Sequence, residues 1–324
     1  MLHPSYKLQV GSVTIDPETA DDLASIRVSL DMDRGADYAD CHLRIRENGL
    51  TFHPTDALSL SLGYKDTLTP VFKGEVVGLE PSFYSTRVFG VNSIVKLLRF
   101  RVNRFYERQR SGLVVKDLAG KANVSLGQIE DGIQWPYYTV DDNKNVYEHI
   151  RELAERCGFD TYMTDGDKLA FRKYQSSAPK VFEYGKNIIT VSRLVQDVAF
   201  KKVRVTGESP SSSKGAETAH WLTKRLVQGS AGSGSEILLQ DRIVKDPSGA
   251  SSVAKAILRK IERGVVVLLD VVGDATVKLD DTVRIQGMPE SSLNGEFQVR
   301  GVEHSLSKSA GFTTTVRLQG ESPP

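Results

Sequence analysis

A chain of 324 residues with 42 Lys plus Arg against 41 Asp plus Glu is close to neutral, which argues against a dedicated nucleic-acid binder, since such proteins carry a basic excess. The length exceeds what one hydrophobic core usually spans, so two or three domains are expected. A content of 40% hydrophobic and 26% charged residues is the balance of a soluble globular protein. Cys41 and Cys157 lie far apart and read as free buried thiols rather than a disulfide framework, as suits a reducing cytoplasm. The opening MLHPSYKLQV lacks the basic and apolar regions of a signal peptide. The most apolar run, GVVVLLDVVG from Gly264, is too short to cross a bilayer. Synthesis in the cytoplasm, with no membrane insertion of its own, is the expectation.

Taken in order, the first hundred residues alternate apolar and polar. YKLQVGSVTI, ASIRVSLDM, CHLRIRE, ALSLSLGY, VFKGEVVGLE and STRVFGV follow one another with Gly, Pro, Asn or Asp between them. That spacing predicts a barrel or sandwich. The pattern changes near Asn92. SGLVVKDLAGKANV places Leu113, Val114 and Leu118 at helical spacing. NVYEHIRELAERCGF puts Val146, Ile150, Leu153, Ala154 and Cys157 on one face, with Gly158 as a stop. A hairpin around Asp165-Gly166 follows.

Strands resume after SSAPK with NIITVSRLV and DVAFKKVRVTG. ESPSSSKGAE and QGSAGSGSE read as mobile loop. Asp246-Pro247 then opens a helix with Val253, Ala254, Ile257, Leu258 and Ile261 on one stripe, closed by Gly264. Four strands, VVVLLDVV, DTVRIQG, GEFQVRGVEHS and FTTTVRLQG, complete the chain. The expected class is α+β, mainly β, with two similar small tube-like β-barrel domains and an inserted α+β domain. Residues 1–95 form the first barrel and 96–180 the middle domain. Residues 181–324 form the second barrel, with a flexible loop at 208–236 and a helix at 247–263.

The two barrels are expected because the sequence repeats itself. Leu60 and Val283, Val76 and Val299, Gly78 and Gly301, and Glu80 and Glu303 are each 223 positions apart (303 − 80). A Gly inside a strand usually marks a bulge or sharp coil. Three copies of a chain with two like modules can present six modules around an axis.

VKLDDTVRIQG, LNGEFQVRGVEHSLS and GFTTTVRLQG, in that order, resemble the phage late-control protein D and baseplate-hub family, which is similar to the N-terminal part of the VgrG spike proteins of type VI secretion. VYEHIRELAERCGF leading into YMTDGDKLAFRK, and FKGEVVGLEPSF, carry the same likeness. The resemblance implies a non-enzymatic homotrimeric hub at the tip of a contractile tail or injection machine, joining a hexameric inner tube protein to a trimeric central spike. With Pro324 following so soon after the last strand, the spike is expected as a separate polypeptide. Tape measure and baseplate wedge proteins are further expected partners, and the expected location is a phage tail or injection-system particle.

No residue pattern points to a cofactor or metal. The six histidines are scattered, and no H-E-x-x-H or C-x-x-C occurs. Asp31 to Asp33 and Asp165 to Asp167 lack the remaining ligands of a calcium loop and read as turns. Neither Glu303 nor Ser305 shares a strand face with His304, so His304 reads as a hydrogen-bonded scaffold residue. Candidate interface residues are Arg99, Arg101, Arg104 and Arg108 in the basic run KLLRFRVNRFYERQR, Trp135 and Tyr137 in an aromatic loop, and Glu80, Glu303 and His304 on the repeated strands. The basic run, interleaved with Phe100, Phe105 and Tyr106, is also compatible with an OB-like module holding a nucleic-acid strand. A tail-associated cell-wall hydrolase using an unseen carboxylate pair is the enzymatic alternative.

Overall fold

The structure is a computed structural model that describes residues 3–18, 23–44, 52–65, 67–196, 199–208 and 227–321. Seven strands come first: β1 (Pro4–Val10), β2 (Val13–Ile15), β3 (Leu23–Asp31), β4 (Tyr38–Arg44), β5 (Ala57–Tyr64), β6 (Thr67–Pro81) and β7 (Ser85–Val91). The middle of the chain supplies α1 (Ile94–Arg99), β8 (Arg104–Arg110), α2 (Ser111–Lys121), β9 (Leu126–Ile129), β10 (Gln134–Val140), α3 (Val146–Cys157), β11 (Asp160–Met163) and β12 (Leu169–Arg172). The remainder contains β13 (Lys180–Glu183), β14 (Ile188–Val195), β15 (Lys202–Thr206), β16 (Gln228–Gly232), β17 (Glu236–Gln240), α4 (Pro247–Glu262), β18 (Val265–Val272), β19 (Thr282–Gln286), β20 (Gly295–Ser307) and β21 (Gly311–Gly320).

Thirteen strands join in one sheet, ordered β14-β18-β21-β20-β3-β4-β7-β6-β5-β1-β2, with β19 and β13 branching from β20. Among the described residues the expected barrels do not close. Each half contributes an open antiparallel array, and the two arrays meet where β3 pairs with β20. Within the single chain, β14 ends the sheet and finds no strand with which to close it, among the described residues.

The repetition lies in the hydrogen-bond register. β3-β4-β7-β6-β5 in the first half corresponds to β14-β18-β21-β20-β19 in the second. Val76 pairs with Gly90 and Val299 with Leu318, and in both pairs of strands the register slips at the next glycine, Gly78 or Gly301. A second slip matches as well: it falls between Leu23 and Ser25 in β3 and between Ile188 and Thr190 in β14. A bulge adds one residue on one strand and increases local coiling, so two bulges at matching places bend both arrays alike. Leu60 does not correspond to Val283. Opposite Gly74 stands Leu58, and opposite the matching Phe297 stands Val283. The true counterpart of Leu60 is thus Ile285, two residues further on and on the same face.

Two cores result. One lies against the large sheet and draws on both halves, including Leu8, Val28, Leu60, Val88, Val267, Val299 and Val316. The other joins α1–α3 and β9–β12 to α4 and the small sheet β16-β15-β17, through Leu97, Val115, Leu153, Phe171, Val203 and Val253. α3 is well specified. Asn145 caps it by accepting from the Glu148 N–H at 2.9 Å while Glu148 accepts from the Asn145 N–H at 2.9 Å, and Gly158 ends it at φ 66°. Asp246 caps α4 by accepting from the Gly249 N–H at 2.8 Å. In α2 the buried face is Val114, Val115 and Leu118, whereas Leu113 is exposed.

QGSAGSGSE is not loop: it forms β16 and the turn into β17. Its glycines serve close packing. A Cβ at Gly229 would stand 2.2 Å from the Ser251 backbone nitrogen, and one at Gly232 would stand 2.2 Å from the Lys201 carbonyl. The rest of the expected flexible loop, 209–226, lies outside the described residues.

Candidate assembly interface

The join between the halves is an antiparallel ladder from Gly301–Asp31 to Ser307–Ser25. Alternation gives this seam two faces. On the inner face Leu306 meets Ile26, His304 meets Val28 and Val302 meets Leu30, all of them buried. On the other face Glu303 and Arg27 form an ion pair at 3.4 Å. His304 is 1% exposed and shares a hydrogen bond at 3.0 Å between its Nδ1 and Thr314 Oγ1. Burial lowers its pKa to about 4. It is a neutral core residue of the seam.

Charges fasten the seam at one end. Arg317 Nη2 donates to Asp31 at 2.7 Å and lies 2.7 Å from Asp33, while Arg300 pairs with Asp33 at 2.5 Å and also with Asp160. Gln298 then bridges to Asp160 at 2.9 Å and Asp280 at 2.6 Å, and Asp280 holds Arg172. This network ties β3, β20 and β21 to β11 and β12. Asp31 also accepts from the Asp33 N–H at 2.8 Å and the Arg34 N–H at 3.0 Å, the turn expected of that segment. Beside it Asp37 is buried, accepting from the Asp31 N–H at 2.8 Å and from Asn92 Nδ2 at 2.6 Å. Burial outweighs those donors and raises its pKa to about 7.

The counterparts of the seam strands are open. β14 pairs with β18 on one side only, and β6 beyond Val76 pairs only with β7, among the described residues. Leu194 and Val195 stand exposed on β14. The β6–β7 hairpin ends in Phe83 and Tyr84, 85% and 78% exposed and packed edge to face with ring centroids 4.6 Å apart. Glu80, next to this tip, is paired with Arg87 at 3.4 Å.

The other candidate residues divide. Trp135 lies in a strand rather than a loop, is 1% exposed, and donates from Nε1 to Ser111 Oγ at 2.9 Å. It is a core residue of the middle unit and presents no surface. Tyr137 is half-buried and stacks on the exposed Phe105 at 5.6 Å. Arg104 and Arg108 are exposed on β8, the latter at φ 52°. Arg101 donates to the carbonyls of Asp142 and Asn143 at 2.8 and 2.7 Å, which fixes a turn, and Arg99 sits in the last turn of α1. The basic run is therefore split between a helix end, a turn and a strand. Among the described residues no group of three or more His, Cys, Asp or Glu is placed to hold a metal ion. Cys41 and Cys157 are free, the first buried and the second half-buried. No helix of the described residues is long and apolar enough to cross a membrane.

No family model matches the sequence, and no curated protein matches it. Solved structures do match. The 43 kDa tail protein of prophage MuSo2 from Shewanella oneidensis superposes with a TM-score of 0.73 at 12% identity, over 97% of this chain and 98% of that one. The tail protein from Neisseria meningitidis MC58 gives 0.74 at 13% identity, over 98% and 96%. This chain has the fold of phage tail proteins. The same fold extends to the E. coli c3393 protein, a type VI secretion component similar to the T4 tail proteins gp27 and gp5, with a TM-score of 0.64 at 10% identity over 96% of this chain and 76% of that one.

Within this tail-protein fold, the sequence reading missed the Arg300–Arg317 network and Asp37. The network's acids and bases are up to 286 positions apart, and nothing local marks them. Asp31 and Asp33 were visible only as a turn.

Proposed function

We propose that this chain is a structural subunit of a contractile tail or injection machine, three copies of which form a hub between a hexameric inner tube and a trimeric central spike. What carries the reading is the repeated register, with two bulges matched between β3-β4-β7-β6 and β14-β18-β21-β20. A chain holding two copies of one array gives a three-membered ring six similar faces, the arrangement that reconciles a partner of six with a partner of three. The likeness in fold to tail proteins supports the same reading. The tube protein, a separate spike protein, and tape measure and wedge proteins are the partners on this reading, and the role is mechanical rather than catalytic.

Light scattering and native mass spectrometry on the purified chain, alone and mixed with tube and spike proteins of the same particle, test it. A species of three copies that adds to both is expected. A chain that stays monomeric and binds neither overturns the hub.

A further inference from the structure

The hub reading leaves open how the copies join, and the chain's own duplication supplies a template. β3 pairs with β20 inside the chain, and the register equivalence maps β20 onto β6 (301 − 78 = 223) and β3 onto β14 (190 − 25 = 165). Both counterparts have an edge that lacks a strand partner among the described residues. Resting on that reading, we propose that β14 of one copy pairs antiparallel with residues 78–82 of the next copy, Gly78 facing Gln196 and Ser82 facing Ser192. Transposing the pairs Gly301–Asp31 and Ser305–Arg27 onto the equivalent positions produces this register.

The side chains fit the transposition. Where the joined seam buries Val302 with Leu30, the open edges offer Leu79 and Val195. Leu79 and Val191 already pack against the large core from the edge. The opposite face remains mostly polar, with Ser82 opposite Ser192 as Ser305 is opposite Arg27. Arg193 departs from the apolar pattern, and its Nε is buried without a hydrogen-bond partner among the described residues. An exposed strand edge bearing apolar side chains is a template for another chain, and here the complementary edge lies on the same molecule, at the other end of the repeat. Such a head-to-tail contact closes into a ring when its rotation divides the circle.

The Ser82 N–H points to β7, donating to the Ser85 carbonyl at 2.7 Å, so its neighbour Pro81 faces outward. Having no N–H, Pro81 leaves one rung of the added ladder empty, opposite Arg193 in this register.

Because Ser82 turns its backbone towards β7, Ser82 and Ser192 would form a non-hydrogen-bonded pair with Cα atoms ~4.5 Å apart, a separation that a disulfide spans. The test is the full chain carrying Ser82→Cys and Ser192→Cys, oxidised with diamide and run on a denaturing non-reducing gel. Covalent species up to three subunits are expected, lost on reduction and absent from either single variant. A control carrying Ser82→Cys and Leu194→Cys, two residues out of register, is expected to remain at one subunit. If light scattering finds three copies but the Ser82/Ser192 pair does not cross-link, the seam is elsewhere and this proposal fails while the hub stands. If the chain is monomeric at every concentration and nothing cross-links, both fall.

Discussion

Gly78 and Gly301 sit at the same bulge of the same strand in two halves of one chain, yet their surroundings differ. A Cβ on Gly78 would lie 3.6 Å from Phe89 Cβ, an ordinary contact. One on Gly301 would lie 3.1 Å from Asp31 Oδ2 and 3.3 Å from Arg317 Nε. The Gly→Ala change at 78 is therefore expected to alter stability by less than about 0.5 kcal/mol, whereas that at 301 costs about 1–2 kcal/mol by pressing on the ion pair. Urea denaturation of the two variants compares them; equal losses would mean that the bulge itself, and not its neighbours, requires glycine.

Arg317 is the link between the last strand and Asp31. Its replacement by Met keeps the stem but leaves Asp31, whose side chain is 9% exposed, to two backbone donors and the remaining network. A loss of about 1–3 kcal/mol is expected, read from the denaturation midpoint. A neutral result would mean that the pair breaks even against its desolvation.

Asn145→Ala removes one half of a reciprocal cap on α3. The expected cost is about 1 kcal/mol. Asn145→Asp, which keeps the acceptor, should recover most of it in the same thermal melt.

Asp37 makes stability depend on pH in a definite direction. Its carboxyl titrates near 7 in the folded chain against an ordinary 3.8, so the unfolded chain releases that proton first. The favourable contribution is complete below pH 3.8 and is lost as pH rises to about 7. Each tenfold difference in proton affinity between the folded and unfolded chain is worth ~1.4 kcal/mol, so the effect is of the order of a few kcal/mol. Asp37→Asn should flatten this window, so that the variant gains on the wild type between pH 4 and pH 8 in paired denaturation series. Parallel curves would show that Asp37 is ionised at pH 4 in the folded chain too.

His304 acts at the other end of the scale. Its ring titrates near 4 when folded against an ordinary 6.5, so the unfolded chain takes up a proton first on acidification. Stability is full above pH 6.5 and falls as pH drops towards 4. His304→Gln should weaken that acid sensitivity. An unchanged slope in the same series would place the sensitivity on other groups.

Much of the fold was legible because its signals are local. Alternating residues marked β18 to β21, the Asn145–Gly158 frame marked α3, and Gly78 and Gly301 marked bulges before any register was known. Closure was not legible: alternation sets which face is buried but not whether the last strand meets the first, and β14 does not. Trp135 stands in a Trp-Pro-Tyr-Tyr run that reads as an aromatic loop, packed locally or held for an interface, yet it lies in a strand that buries it on Ser111. Gly229 and Gly232 looked like signs of mobility, when helix α4 and the Lys201 backbone simply leave no room for a side chain. The seam residues could be placed only as a repeat. What joins Asp31 to Arg317 is a three-dimensional contact with no trace in the spacing.

The hairpin tips of the two halves are chemically unlike. One ends in Phe83 and Tyr84; the other turns through Lys308, Ser309 and Ala310. In a ring of three copies, a partner sensing only the course of the main chain would count to six, while one sensing these end groups would count to three. The duplication would then be a matter of shape alone, and the means of telling the two halves apart would reside in a handful of side chains at their extremities.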